Sequence, residues 1–84
     1  MHEIYLERKA ERDLKKLEAD TFRRIISNIK SLSKNTKPPG SRKITGSKND
    51  WRIRAGDYRI IYEIDDREKT VRVMRIRHRR DAYR

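Results

Sequence analysis

The stretch at residues 51–62, W-R-I-R-A-G-D-Y-R-I-I-Y, constrains the fold of this chain more than any other. Apolar and polar residues alternate on both sides of a glycine turn, the period of two that marks strands rather than helix. Joined by a two-residue loop at Ala55-Gly56, the strands would set Arg54 opposite Asp57, Ile53 opposite Tyr58, Arg52 opposite Arg59 and Trp51 opposite Ile60. Trp51, Ile53, Tyr58, Ile60, Tyr62 and Ile64 then share one face. Arg52, Arg54 and Arg59 share the other, with Asp57 the one acid among them. Like charges directly opposite each other destabilise a sheet, so a chain tuned for stability alone would alternate signs here. The first face reads as a core and the second as a site for a polyanion.

The rest of the chain supplies what that hairpin packs against. Residues 2–6 alternate as a short first strand, with Ile4 and Leu6 inward. Ala10, Leu14 and Leu17 then fall at helical spacing, one narrow apolar stripe on a charged segment. A break follows at residues 18–20, where Asp20 or Thr21 could cap the next helix. Phe22, Ile25, Ile26, Ile29 and Leu32 form the clearest helical pattern of the sequence. The basic residues of both helices, Lys9, Arg12, Lys15, Lys16, Arg23 and Arg24, read as a solvated face.

Residues 33–50 are a polar connector in which Pro38-Pro39-Gly40 rules out continuous helix or central strand. A strand can begin at Lys43-Ile44 before Gly46 interrupts it. So long a connection inside a small domain suggests a binding loop, made basic by Lys37, Arg42, Lys43 and Lys48. After the hairpin, residues 65–68 turn the chain into a last strand over residues 70–76. Its register is ambiguous. If Ile64 pairs with Lys69, Val71 and Val73 join Tyr62 and Ile60 inside, whereas Met74 and Ile76 would lie beside the arginines unless a bulge intervenes. The expected fold is a single α+β domain over residues 1–84, ordered β-α-α-β-β-β, with two N-terminal helices on one face of a small antiparallel sheet.

Charge narrows the function. With 24 basic and 13 acidic residues among 84, the net charge is +11. The excess leans to the second part: residues 1–40 hold 10 basic and 6 acidic side chains, residues 41–84 hold 14 and 7. Such a balance suits a phosphate backbone, an anionic membrane or an acidic protein. No apolar run approaches a membrane span, and Glu3, Glu7 and Arg8 interrupt a start that does not read as a secretory signal. The absence of cysteine excludes disulfides and thiolate metal sites and fits a cytoplasmic protein. With His2 and His78 far apart, a zinc site is not expected, nor any cofactor.

In its order of elements, in G-S-K-N-D-W-R-I-R-A-G-D-Y-R-I-I-Y at 46–62 and in R-I-R-H-R-R-D-A-Y at 75–83, the chain resembles the RelE/ParE superfamily of toxin–antitoxin toxins, in particular its RelE-like branch. The resemblance covers almost the whole chain. It implies a metal-independent endoribonuclease that cuts mRNA on the translating ribosome, an mRNA interferase, held inactive by a partner antitoxin that wraps its surface. Carried over by position, it implies catalytic roles for Arg52 and Arg54 on the strand before the turn and for Arg59 on the hairpin. It extends them to Arg79, exchangeable with Arg77 by a spacing ambiguity, and to the C-terminal Tyr83. His78 lies where some relatives have lysine or histidine. Lys43, Lys48, Arg75, Arg77 and Arg80 are further candidates for contact with RNA.

Chemistry fits these roles. Guanidinium forks match phosphate oxygens in two-point contacts, and neutralising developing charge is usually the largest catalytic term. Tyr83 could stack on an unpaired base, assist proton transfer, or simply pack under the sheet. The best-known relatives carry lysines where this chain has Arg52 and Arg54, and arginine stays protonated to very high pH. The proton acceptor is then His78, with an ordinary pKa of ~6.5, or, as weaker candidates, Asp57 or Asp81. The chain also stops at Arg84, without the C-terminal helix that some relatives add. Two other readings stay open: a ParE-like, non-enzymatic inhibitor of DNA gyrase, and a non-catalytic basic nucleic-acid-binding module.

Overall fold

The hairpin forms, with its turn one residue further along than the spacing suggested. A computed structural model of the chain, describing residues 1–81, joins β3 (Asp50–Ala55) to β4 (Tyr58–Asp65) through Gly56 and Asp57. Ala55 pairs with Tyr58, Arg54 with Arg59, Ile53 with Ile60, Arg52 with Ile61 and Trp51 with Tyr62. Each β3 residue therefore meets a partner two positions beyond the expected one. A slip of two preserves the pleat, so both faces keep their expected residues. Gly56 sits at φ +62°, a left-handed position that glycine occupies without steric cost.

Around the hairpin lie β1 (Glu3–Leu6), α1 (Arg8–Lys15), α2 (Ala19–Ser31), the two-residue β2 (Arg42–Lys43) and β5 (Thr70–His78). The sheet order is β1-β5-β4-β3-β2. The β3–β4 and β4–β5 pairs are antiparallel, but β1 runs parallel to β5, with Ile4 beside Val71 and Leu6 beside Val73. The expected antiparallel sheet is thus a mixed one of five strands. Parallel neighbours need a long intervening crossover, and here almost the whole chain lies between the two strands.

The bulge occurs. Ile64 pairs with Val71 and Tyr62 with Val73, after which the register shifts and Ile61 pairs with Arg75, Ile60 with Ile76 and Arg59 with Arg77. Met74 is the extra residue. It returns Ile76 to the core, where it is 4% exposed, beside the fully buried Ile60, Tyr62, Val71 and Val73. Burying each such aliphatic side chain contributes ~1.5–3 kcal/mol.

The helices cover this apolar face. Ala10 and Leu14 of α1, Ile25 and Ile29 of α2, and Leu32 just past it are buried. Leu17 falls beyond α1 and packs half-buried against the core. α2 begins earlier than expected, with Glu18 at its N-cap and no side-chain cap bond. Asp20 lies inside the first turn, where its charge complements the helix dipole. The connector is tied down at several points. The Tyr62 hydroxyl donates to the Thr36 carbonyl at 2.7 Å, Ile44 N–H donates to the Asp50 carbonyl at 2.9 Å, and the Lys37 ammonium lies 5.0 Å from the Trp51 ring centre.

Where β1 ends, β5 goes on. Beyond Glu7 N–H, which donates to the Val73 carbonyl, no strand among the described residues lies beside the outer edge of β5. Asp13 of α1 fills part of that edge, accepting from Ile76 N–H at 2.9 Å and from Arg75 Nε and Nη2 at 2.9 and 3.3 Å. Open strand edges invite unwanted pairing; here a carboxylate occupies one.

Candidate functional site

The face turned away from the helices carries two rows of arginine across the sheet. Arg42 pairs with Arg52, which pairs with Ile61, which pairs with Arg75. In the next row Arg54 pairs with Arg59, which pairs with Arg77. Directly opposed like charges cost stability, so this surface is organised against the needs of folding.

Part of it closes into a cleft of about 300 Å³ lined by Gly40, Arg42, Arg52, Ile53, Arg54 and Arg59. Arg59 lies at its base on the central strand of the sheet and is only 7% exposed. Arg52 is half-buried, whereas Arg42 and Arg54 are exposed at the rim. Four guanidinium groups gathered around one concavity suit an anion, whose oxygens their forks match in two-point contacts. Gly40, at φ +89°, turns the connector over the rim. Among the described residues the lining offers no lysine, imidazole or carboxylate. What it can do is hold, orient and neutralise a phosphate.

The structure sorts the remaining candidates. Arg77 starts beside Arg59, but its Nη2 donates to the Asp81 carbonyl at 3.0 Å and it lines a second cavity with Asp13, Tyr58 and His78. Arg75 turns to Asp13. His78 pairs with Tyr58 on the helix-bearing face, with the two rings edge to face at 5.3 Å. Alternation therefore sets His78 apart from the cleft, and its Nδ1 accepts from Arg80 N–H at 3.2 Å. Arg79 lies in the turn after β5, where its backbone N–H donates to the Asp57 carbonyl at 2.7 Å. Its side chain and that of Arg80 are exposed. Asp57 is in the hairpin turn, and Asp81 donates its N–H to the His78 carbonyl at 2.8 Å. Lys43 pairs with Trp51 on the face opposite the cleft, and Lys48 is exposed in the turn before β3. Tyr83 lies outside the described residues.

Arg42 belongs to the cleft, whereas the sequence marks it only as one of the cations that make the connector basic. Neighbours on a strand point to opposite faces, so choosing between Arg42 and Lys43 needs the pairing of β2 with β3, which two residues do not announce.

The titrations of Asp13 and Tyr62 are both shifted. Burial raises the Asp13 carboxyl, but the bonds from Arg75 and Ile76 N–H and the charges of Arg75 and Arg77 outweigh it and leave the pKa below the ordinary 3.8. Burial pushes the Tyr62 hydroxyl up to about 12, against a smaller opposing bond with Ser41. Among the described residues no group of three or more His, Cys, Asp or Glu side chains gathers to hold a metal ion, and no helix is long and apolar enough to cross a membrane.

Comparison with known proteins places this architecture. The family model described as ParE toxin of type II toxin–antitoxin system, parDE, matches residues 4–83. Toxin RelG of Mycobacterium tuberculosis is 41% identical over 46 residues, a match spanning 55% of this chain and 49%, about half, of that relative. The archaeal RelE–RelB complex from Pyrococcus horikoshii superposes with a TM-score of 0.84 at 22% identity, covering 96% of this chain and 98% of the other. The RelBE2 toxin–antitoxin complex of Mycobacterium tuberculosis superposes with a TM-score of 0.81 at 25% identity, covering 92% and 96%.

Proposed function

The chain belongs to the ParE toxin family of type II toxin–antitoxin systems, within the RelE/ParE superfamily, and on that premise we propose that it is a ribosome-dependent endoribonuclease that cleaves mRNA. The observation that carries this reading is the cleft in which Arg42, Arg52 and Arg54 surround the buried Arg59. When an RNA 2′-oxygen attacks the neighbouring phosphorus, it displaces the next nucleotide's 5′-oxygen, which leaves as a hydroxyl on taking up a proton, and negative charge gathers on the phosphate oxygens on the way to the 2′,3′-cyclic phosphate. Fixed guanidinium groups around them stabilise that charge at no cost of reorganisation. Arg59 holds the phosphate from beneath, and Arg52 and Arg54 clamp it in two-point contacts. With His78 on the other face, proton acceptance falls to a group outside the described lining, for which Tyr83 is the candidate that the family resemblance supplies.

An antitoxin partner is part of the proposal. Several structural relatives were solved with one, the Pyrococcus horikoshii and Mycobacterium tuberculosis complexes among them. The cytoplasm, where mRNA and ribosomes are, is the proposed place of action.

The test is induction in a bacterial host, with mRNA 5′ ends mapped on and off ribosomes for wild type, Arg59→Ala and Tyr83→Ala. Codon-phased ends in wild type that vanish in both variants are the expected result. The ParE description of the matched family supports one competing reading, a gyrase inhibitor. Growth arrest without new mRNA ends, together with loss of DNA supercoiling by gyrase, would select it.

A further inference from the structure

The arginine cleft is not the only basic concavity. Along the seam between α1 and the outer edge of β5 run two further hollows of about 670 and 250 Å³. The larger is lined by Glu7, Arg8, Lys9, Arg12, Met74 and Arg75, and the smaller includes Asp13, Lys16, Arg77 and Asp81. Arg75 lines both, so the seam is continuous. It carries six cations against three carboxylates. Two of those carboxylates are already engaged: Asp13 holds Arg75, and Glu7 faces Arg72 at 3.6 Å.

Arg8, Arg12 and Lys16 follow at intervals of four, one stripe along α1 and its C-cap. Like charges at that spacing destabilise a helix, and none of the three has an ion-pair partner among the described residues. At 1.5 Å per residue the stripe is ~12 Å long, enough to follow about three phosphates of one nucleic-acid strand at ~3.4 Å of axis each.

We propose that this seam is a second nucleic-acid site, one that takes the phosphate backbone of paired RNA, separate from the cleft and independent of whether the cleft cleaves. Three features favour paired RNA over the alternatives. Unpaired bases need aromatic platforms; among the described residues the larger hollow has none, and in the smaller one the Tyr58 and His78 rings meet each other edge to face. A protein partner is anchored by buried aromatic or aliphatic side chains; among the described residues Met74 is the only apolar one lining the larger hollow, and Leu17, Tyr58 and Ile76 in the smaller are packed against or within this chain's own core. A partner strand would add at the β5 edge, where Asp13 already occupies Ile76 N–H.

The experiment measures binding of a labelled RNA hairpin stem and a labelled unpaired oligoribonucleotide across a salt series. Wild type is compared with Arg8→Gln/Arg12→Gln, with Lys9→Gln/Lys16→Gln and with Arg54→Gln. All of these side chains are exposed, and thermal melts verify that each variant folds. Each double variant should weaken stem binding ~10-fold or more and lower its salt slope by about two, one for each cation that no longer neutralises a phosphate. Arg54→Gln should weaken the unpaired strand and spare the stem. Unchanged stem affinity and slope in both double variants would overturn the proposal. So would loss of binding to poly-glutamate with stem binding retained, which would make the seam a docking site for an acidic protein. Failure of the cleavage reading would leave these measurements unaffected.

Discussion

Arg54 and Arg59 are direct cross-strand partners, one exposed and the other buried, on adjacent strands of a five-stranded sheet. Two guanidinium groups in that relation oppose folding, and an opposite-charge pair there would favour it. Arg54→Glu should therefore raise stability by ~0.2–1 kcal/mol, a few degrees in melting temperature for a domain of this size. The same change should abolish growth arrest on induction. A melting temperature that falls, or toxicity that survives, would refute the trade-off.

Arg42 and Lys43 are neighbours in sequence on opposite faces of β2. Arg42→Ala should weaken binding of single-stranded RNA several-fold and reduce its salt slope by about one, while Lys43→Ala leaves both near wild type. Equal losses from the two variants would mean that the connector, rather than the cleft, contacts RNA.

Asp13 is held below its ordinary pKa, despite burial that pushes it up, by the Arg75 and Ile76 bonds and the nearby arginine charges. A carboxyl depressed in the folded state binds fewer protons there than in the unfolded chain. Its contribution is present above the unfolded pKa of ~3.9 and is lost as pH falls through the lower folded value. Asp13→Asn should cost ~1.5–3 kcal/mol at neutral pH, and the gap to wild type should narrow in acid. A gap that stays constant in melts down to low pH would rule out this linkage.

Tyr62 carries the opposite sign. Its hydroxyl pKa is raised from 10.0 to about 12 by burial, so the folded state keeps a proton that the unfolded chain gives up. Stability is therefore undiminished below pH ~10 and declines as pH climbs towards the folded value. Ultraviolet titration should find one of the four tyrosines ionising only near pH 12 or on unfolding. Tyr62→Phe should remove that step and cost ~1 kcal/mol by orphaning the Thr36 carbonyl.

At Gly56 a Cβ would stand 3.0 Å from Arg24 Nη1 and would be held at φ +62°. The guanidinium is flexible and can withdraw, so the backbone sets the penalty. Gly56→Ala should cost ~1–2 kcal/mol and Gly56→Asn less, read as shifts in denaturant midpoint. Equal costs for the two would point to the contact instead.

Much of this molecule was legible because period-two alternation is local. The faces of β3 and β4 could be read without the turn, and a pairing error of two residues left Arg52, Arg54 and Arg59 together. The core faces of α1 and α2 follow from Ala10, Leu14, Ile25 and Ile29 in the same way. What escaped depends on distant partners. The parallel seat of β1 beside β5 leaves no mark on either strand, and Arg42 enters the cleft only through pairing with Arg52. The face that His78 takes escapes in the same way, because proximity to Arg77 and Arg79 in sequence says nothing about which side of the sheet a ring occupies.

Before Met74 the odd-numbered residues of β5, Val71 and Val73, point to the helices; after it the even-numbered Ile76 and His78 do. Continued in its first phase, the strand would drive Arg75 and Arg77 into the hydrocarbon interior and Ile76 into water. A single residue thus acts as the frame marker of the terminal third of the sheet. Deleting Met74 would leave a regular ladder with every downstream side chain on its present face, whereas drawing Met74 into the ladder as a paired residue would turn everything downstream inside out.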